Sequence, residues 1–161
     1  MVRKDLPKEC YVSMAAWSTG AYVSDGHYAG SAIDACMNAP LDLVNIMAYD
    51  AGASYNPQEA WLAYKKIFSG ALMMGFEVGP QGWGNYLLTE QDVEEDGKFV
   101  KDNGTAEDGA FVWSDKKEGN PSPKNVVAKL VSIFSNPRSS PNPLPSGNFI
   151  VCPVCSTKFT S

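Results

Sequence analysis

Four apolar runs punctuate the chain: "CYVSMAAW" (10–17), "LDLVNIMAY" (41–49), "ALMMGFEV" (71–78) and "GAFVWS" (109–114). Their hydrophobicity is continuous rather than alternating. That pattern predicts strands covered on both faces, as in a parallel sheet. Successive runs begin about 30 to 40 residues apart, the length of one βα unit. The segments between them carry helix-start signals. In "NPQEAWLAYKKIFSG", Asn56 is placed to cap orphan amides, Pro57 suits the first helical position, and Glu59 sets negative charge at the positive helix end. Ala60, Ala63, Tyr64, Ile67 and Phe68 follow at helical spacing, with Gly70 as the stop. "LTEQDVEEDGKFVKDNG" starts at Thr89, has Asp92 three residues on, and ends at Asn103 and Gly104. "SPKNVVAKLVSIF" repeats the device with Ser122 and Pro123, whereas "GHYAGSAIDACMN" has the weakest helical pattern. The order βαβαβαβα predicts an α/β fold of about four βα units, either an open doubly wound sheet or part of a barrel.

Beyond Phe134 the pattern stops. "SNPRSSPNPLPSGN" holds four prolines among Ser and Asn, the composition of a stiff, extended linker over 136–148. Residues 149–161, "FIVCPVCSTKFTS" with its lead-in, are too few to fold alone and read as a tail or the start of a further module. The domain proper is expected over 1–135.

With 161 residues, 44% of them hydrophobic, the chain can bury one ordinary core. No apolar run nears the roughly 20 residues that span a bilayer, and "MVRKDLPKEC" has charge but no apolar core of a signal peptide. The net charge of −5 and the scattered lysines argue against nucleic acid, which needs clustered basic residues. Of the four cysteines, Cys152 and Cys155 have the spacing of half a zinc site, but four ligands are needed and the lone His27 is distant. Neither a metal nor a cofactor is expected.

In parallel α/β folds chemistry gathers at the C-terminal ends of strands. Those ends read "WSTGAYVSDG", "YDAGASYN", "EVGPQGWGNY" and "WSDKKEGNP". Each pairs an aromatic with an acid or an amide. Aromatic faces stack on the C–H faces of sugars, and carboxylates and amides bond their hydroxyl and acetamido edges. A phosphate site would instead want glycine-rich amides with Lys or Arg, and only Lys116 and Lys117 are near. Trp17 and Tyr22 flank the first loop and read as packing residues, and Trp61 reads as core.

Here the chain resembles a known family. "DLVNIMAYD" resembles the sixth-strand M-x-Y-D signature of glycoside hydrolase family 18, the chitinases. "GAFVWS" resembles that family's eighth strand, which ends in tryptophan; "MGFEVGPQGWG" and "YVSMAAWSTGAY" would be the seventh and fifth. The resemblance covers roughly residues 10 to 135. It implies the C-terminal half of a (β/α)8 TIM barrel, strands 5 to 8, acting on N-acetylglucosamine oligomers or chitin. It also implies roles. Tyr49 would be the catalytic residue here, bonding the acetamido group that serves as internal nucleophile. Met47 and Asp50 would line the same subsite, and Trp113 would be the floor beneath the sugar. Glu77, Gln81 and Trp83 would extend the groove.

Family members cleave with a D-x-x-D-x-D-x-E strand whose last glutamate protonates the leaving oxygen, a substrate-assisted scheme. These 161 residues contain no such motif. The acidic run "TEQDVEEDGK" has other spacing and reads as a solvated helix face. A whole barrel takes about 250 residues, so the chain is expected to be a half barrel. Alone it would lack the proton donor's contribution, on the order of 10²- to 10⁴-fold. Its expected partner is an N-terminal half-barrel. The alternative is a chitin-binding, lectin-like protein without hydrolysis. Family members are usually secreted; the chain itself does not indicate a compartment.

Overall fold

The computed structural model describes residues 7, 10–21, 29–52, 54–82 and 85–136. Four strands alternate with four helices: β1 (Ser13–Trp17), α1 (Ala29–Asn38), β2 (Leu43–Met47), α2 (Pro57–Ile67), β3 (Ala71–Glu77), α3 (Glu90–Asn103), β4 (Gly109–Trp113) and α4 (Pro123–Ser135). The strands form one parallel sheet in the order β1-β2-β3-β4. The α/β fold and the four βα units read from the sequence are therefore present. The 136–148 linker beyond Asn136, the 149–161 tail with Cys152 and Cys155, and Tyr22, His27 and Trp83 lie outside the described residues.

Local signals account for the helix starts. Asn56 accepts from the Gln58 and Glu59 amides, with Pro57 opening α2. Thr89 and Asp92 form a reciprocal capping box on α3. Ser122 accepts from the Asn125 amide before α4. The stop of α2 differs from expectation. Its last turn is closed by the Phe68 amide donating to the Tyr64 carbonyl, so the helix ends before Gly70.

Sheet register sorts the strand residues into two faces. Met14, Ala16, Val44, Ile46, Leu72, Met74, Phe76, Ala110 and Val112 join Trp61, Tyr64, Val93, Val100, Val126 and Leu130 in a single core. The helices thus lie on this side. The other face carries Ala15, Trp17, Asn45, Met47, Met73, Gly75, Glu77, Phe111 and Trp113, as the pairs Ala15↔Asn45, Trp17↔Met47, Asn45↔Met73, Gly75↔Phe111 and Glu77↔Trp113 require. The expectation of cover on both faces is thereby corrected. Strands paired in chain order through right-handed crossovers send every helix to the same side, and among the described residues no element covers the second face.

Two acids fasten the N-terminal ends of the strands. Asp42, just before β2, accepts from the Val12 amide at 2.8 Å. Asp108, just before β4, is buried and accepts from the Leu72 amide of β3 (2.8 Å), the Thr105 amide (2.6 Å) and Lys65 Nζ (2.7 Å). Asp108 therefore joins α2, β3 and β4 at one point. The acidic run on α3 is only partly a solvated face. Asp96 is tucked against α2, where it accepts from Gln58 Nε2 at 2.8 Å, and burial raises its pKa. Glu94 is exposed and lies between Lys129 of α4 and Lys98; their hydrogen bonds hold its carboxyl down to about 2. Trp61 is buried, as expected. No helix among the described residues is long and apolar enough to cross a membrane.

Replacing Asp108 by Ala leaves the Leu72 amide without its acceptor and Lys65 without its anion. We expect a loss of about 3–5 kcal/mol in urea unfolding, far more than for removing the exposed Glu94.

Candidate functional site

β1 and β2 end at the paired Trp17 and Met47, level with Gly75, and β3 and β4 run two residues further to the paired Glu77 and Trp113. All four of these end residues lie on the helix-free face. Trp17 and Trp113 are 50% and 47% exposed. They stand on the two outer strands of this edge, with β2 and β3 between them. Both outer strands finish in the same dipeptide, Trp17-Ser18 and Trp113-Ser114. The Val78 amide donates to the Trp113 carbonyl at 2.8 Å, carrying the β3–β4 ladder to this edge. The Trp113–Ser114 peptide bond is cis.

Beyond Met47 the chain turns at once, so Tyr49 and Asp50 lie past the strand rather than on it. Tyr49 is only 8% exposed. Its ring packs over Gly75: a Cβ there would come within 2.8 Å of Tyr49 Cε1, 2.6 Å of Phe111 Cζ and 2.8 Å of the Ile46 carbonyl. The missing side chain at 75 is what lets the phenol lie across the sheet. Asp50 has φ 55°, in the left-handed region that Asp tolerates better than most residues. That conformation lets it grip the loop after β3 from two sides. Its amide donates to Gln81 Oε1 at 3.0 Å, and its Oδ1 accepts a short hydrogen bond from the Gly82 amide. The same loop is pinned by the Gln81 amide donating to the Tyr86 carbonyl at 3.0 Å and by the Pro80–Leu87 bridge.

Glu77 is 3% exposed. Its Oε1 accepts from Lys117 Nζ, and Lys117 also donates to the Pro80 carbonyl at 3.3 Å. Burial pushes the Glu77 pKa up, the Lys117 ammonium works against that, and the Asp50 side chain raises it further.

Of the residues singled out from sequence, Met47, Tyr49, Asp50, Glu77, Gln81 and Trp113 all sit at the C-terminal edge of the sheet. Glu77 and Trp113 are direct register partners, and Asp50 and Gln81 are bonded to each other. Trp83 falls outside the described residues. Trp17, expected to pack, has half its surface open at the end of β1. The Trp-Ser ending it shares with β4 was the available signal. Lys117 was also missed as a site residue. A glutamate at the end of an apolar strand needs a cation, and a lysine in the next strand's loop can supply one. The described residues hold no cluster of three His, Cys, Asp or Glu placed for a metal. A separate hollow of about 340 Å³ lies on the helix side between α3 and α4, lined by Val93, Pro121, Asn125, Val126 and Lys129, away from the strand ends.

Comparison with known protein families, with curated proteins and with solved structures finds no match for this chain.

If Gly75 is needed to seat Tyr49, Gly75→Ala should lower stability by about 1–3 kcal/mol through overpacking and shift the Tyr49 ring resonances in an NMR spectrum. Unchanged resonances would show that the phenol does not depend on this gap.

Proposed function

We propose that the chain is the C-terminal half of a (β/α)8 barrel of the glycoside hydrolase family 18 type, and that its strand-end groove takes N-acetylglucosamine oligomers or chitin. The observation that carries this reading is a half-exposed indole at the end of each outer strand, with Met47, Tyr49, Asp50 and Glu77 at the ends of the two strands between them, all at the C-terminal side of a parallel sheet. Open indoles suit the C–H face of a pyranose, and the intervening phenol and amides suit its acetamido edge. In this reading Tyr49 orients the acetamido group, Trp113 supports the ring, and Trp17 extends the platform across the sheet. Asp50 and Gln81 act chiefly by holding the loop that forms one wall.

The half-barrel reading draws on the open sheet face. Met47, Met73 and Phe111 lie on it only half-buried, and β1 and β4 each have one unpaired edge among the described residues. Such a surface favours association. A second half carrying the D-x-x-D-x-D-x-E strand would cover this face and supply the proton donor that the present 161 residues lack. That lack also supports a second reading, in which the groove binds chitin without cleaving it.

Two measurements test these readings. Trp113→Ala should weaken binding of an N-acetylglucosamine hexamer about tenfold or more, since the large apolar contact is lost; absence of parent binding at millimolar concentration would remove the sugar reading. Adding an N-terminal half with the acid motif should restore cleavage of a chromogenic oligomer. A monodisperse monomer with a cooperative melt would instead count against the half barrel.

A further inference from the structure

Each helix has one flank toward the unit before it and one toward the unit after it. On α3, Asp96 stands three positions after the core residue Val93 and meets the previous helix, accepting from Gln58 of α2 at 2.8 Å. Glu94 stands one position after Val93 and meets the next helix, where Lys129 of α4 reaches it at 2.6 Å. At about 3.6 residues per turn, these two offsets fall on opposite flanks. The same offsets hold on α4, counted from its core residue Val126. Lys129, three positions on, faces α3. Val127, one position on, lies on the flank where a next helix would stand, with Val131 one turn further along it. Both valines are open, at 41% and 46%. At the other end of the sheet, Ala35 stands three positions after the core residue Ala32, on the flank of α1 where a previous helix would stand, and is half-buried.

We propose that a second copy of this chain fills both vacant positions: β4 of each copy pairs in parallel with β1 of the other, and Val127 and Val131 of each pack against α1 of the other on the flank that carries Ala35. Three features require cover together. The outer edges of β1 and β4 are unpaired among the described residues, the sheet face between them holds the half-buried Met47, Met73 and Phe111, and α4 ends the helix layer on two open valines. A lone βα unit would cover one edge and leave the other. A second copy offers the matching edge at each end, so a two-fold axis makes two identical junctions and encloses both open faces. Four strands from each copy make eight, the number that closes a β/α barrel.

This inference rests on the half-barrel reading and names the source of the second half. It also completes the strand-end edge. Trp113 ends β4 and Trp17 ends β1, so each junction sets Trp113 of one copy on the strand next to the partner's Trp17, and neither copy alone holds that pair on neighbouring strands. A closed pair still contains no D-x-x-D-x-D-x-E strand, which accords with binding without cleavage.

The test uses the full chain and needs no ligand. Sedimentation velocity at micromolar concentration should give twice the 17.4 kDa of one chain. Val127→Lys combined with Val131→Lys should raise the dissociation constant of the pair about tenfold or more and keep the helical circular dichroism, since both side chains are open. Leu62→Lys, at an equally open apolar position on the inner helix α2, should leave association unchanged. In hydrogen–deuterium exchange, dilution to the monomer should speed the amides of β1 and β4 and leave those of β2 and β3 as they were. A dimer indifferent to the two lysines, or one that protects β1 and β4 no better than the monomer does, overturns the edge junction. A monomer overturns self-pairing outright. If that monomer forms a one-to-one complex with an N-terminal half carrying the acid motif, the half-barrel reading stands without this inference; if it forms none, both fall.

Discussion

Parallel pairing in strict chain order is the constraint from which the rest of this structure follows. Each right-handed crossover returns its helix to the same side of the sheet. Because β1, β2, β3 and β4 are neighbours in sequence and in space, all the crossovers agree. One sheet face acquires the entire core, from Trp61 and Tyr64 of α2 to Val126 and Leu130 of α4. Among the described residues the opposite face acquires no helix, and the Tyr49 ring lies across it over Gly75. The same constraint brings all four C-terminal strand ends to one edge, which carries Trp17, Met47, Glu77 and Trp113. Core and groove are two results of a single winding rule.

The two ends of the sheet then do different work. At the N-terminal end, Asp42 and Asp108 use charged acceptors to fix the start of a neighbouring strand, and Asp108 does so fully buried with Lys65 as its counter-ion. At the C-terminal end, Asp50 holds a loop directly and Glu77 reaches the same loop through Lys117. The carboxylates below act on backbone that cannot shift without breaking the ladder. Those above act on backbone outside the ladder, whose position depends on them. Parallel α/β architectures separate stability from function along this axis, and here the separation is carried by side chains of one chemical type.

Much of this was legible in the residues. Asn56, Thr89 with Asp92, and Ser122 announced helix starts because capping is local chemistry, settled within three residues. The apolar runs announced strands, and the βα spacing announced parallel pairing. What could not be read was which strand face the helices take. A continuous apolar run looks alike whether helices flank it on both sides or on one. For that reason Trp17 reads as a packing residue, although Ala16 beside it is the residue that packs. The Lys117–Glu77 contact spans 40 positions and the Asp50–Gly82 contact spans 32; neither leaves a local pattern. The candidate residues could be named from their place at strand ends. Their bonds to one another could not.

Because spatial order equals chain order, each strand after the first finds one neighbour already made when it leaves the ribosome. β2 can add to β1, then β3 to β2, with no strand inserted between earlier ones. Growth of this kind needs only neighbour contacts at every step, so loop closure stays short and early. Among the described residues, the outer edge of β4 stays unpaired. Addition of one more βα unit, from this polypeptide or another, would repeat the step that made the previous three.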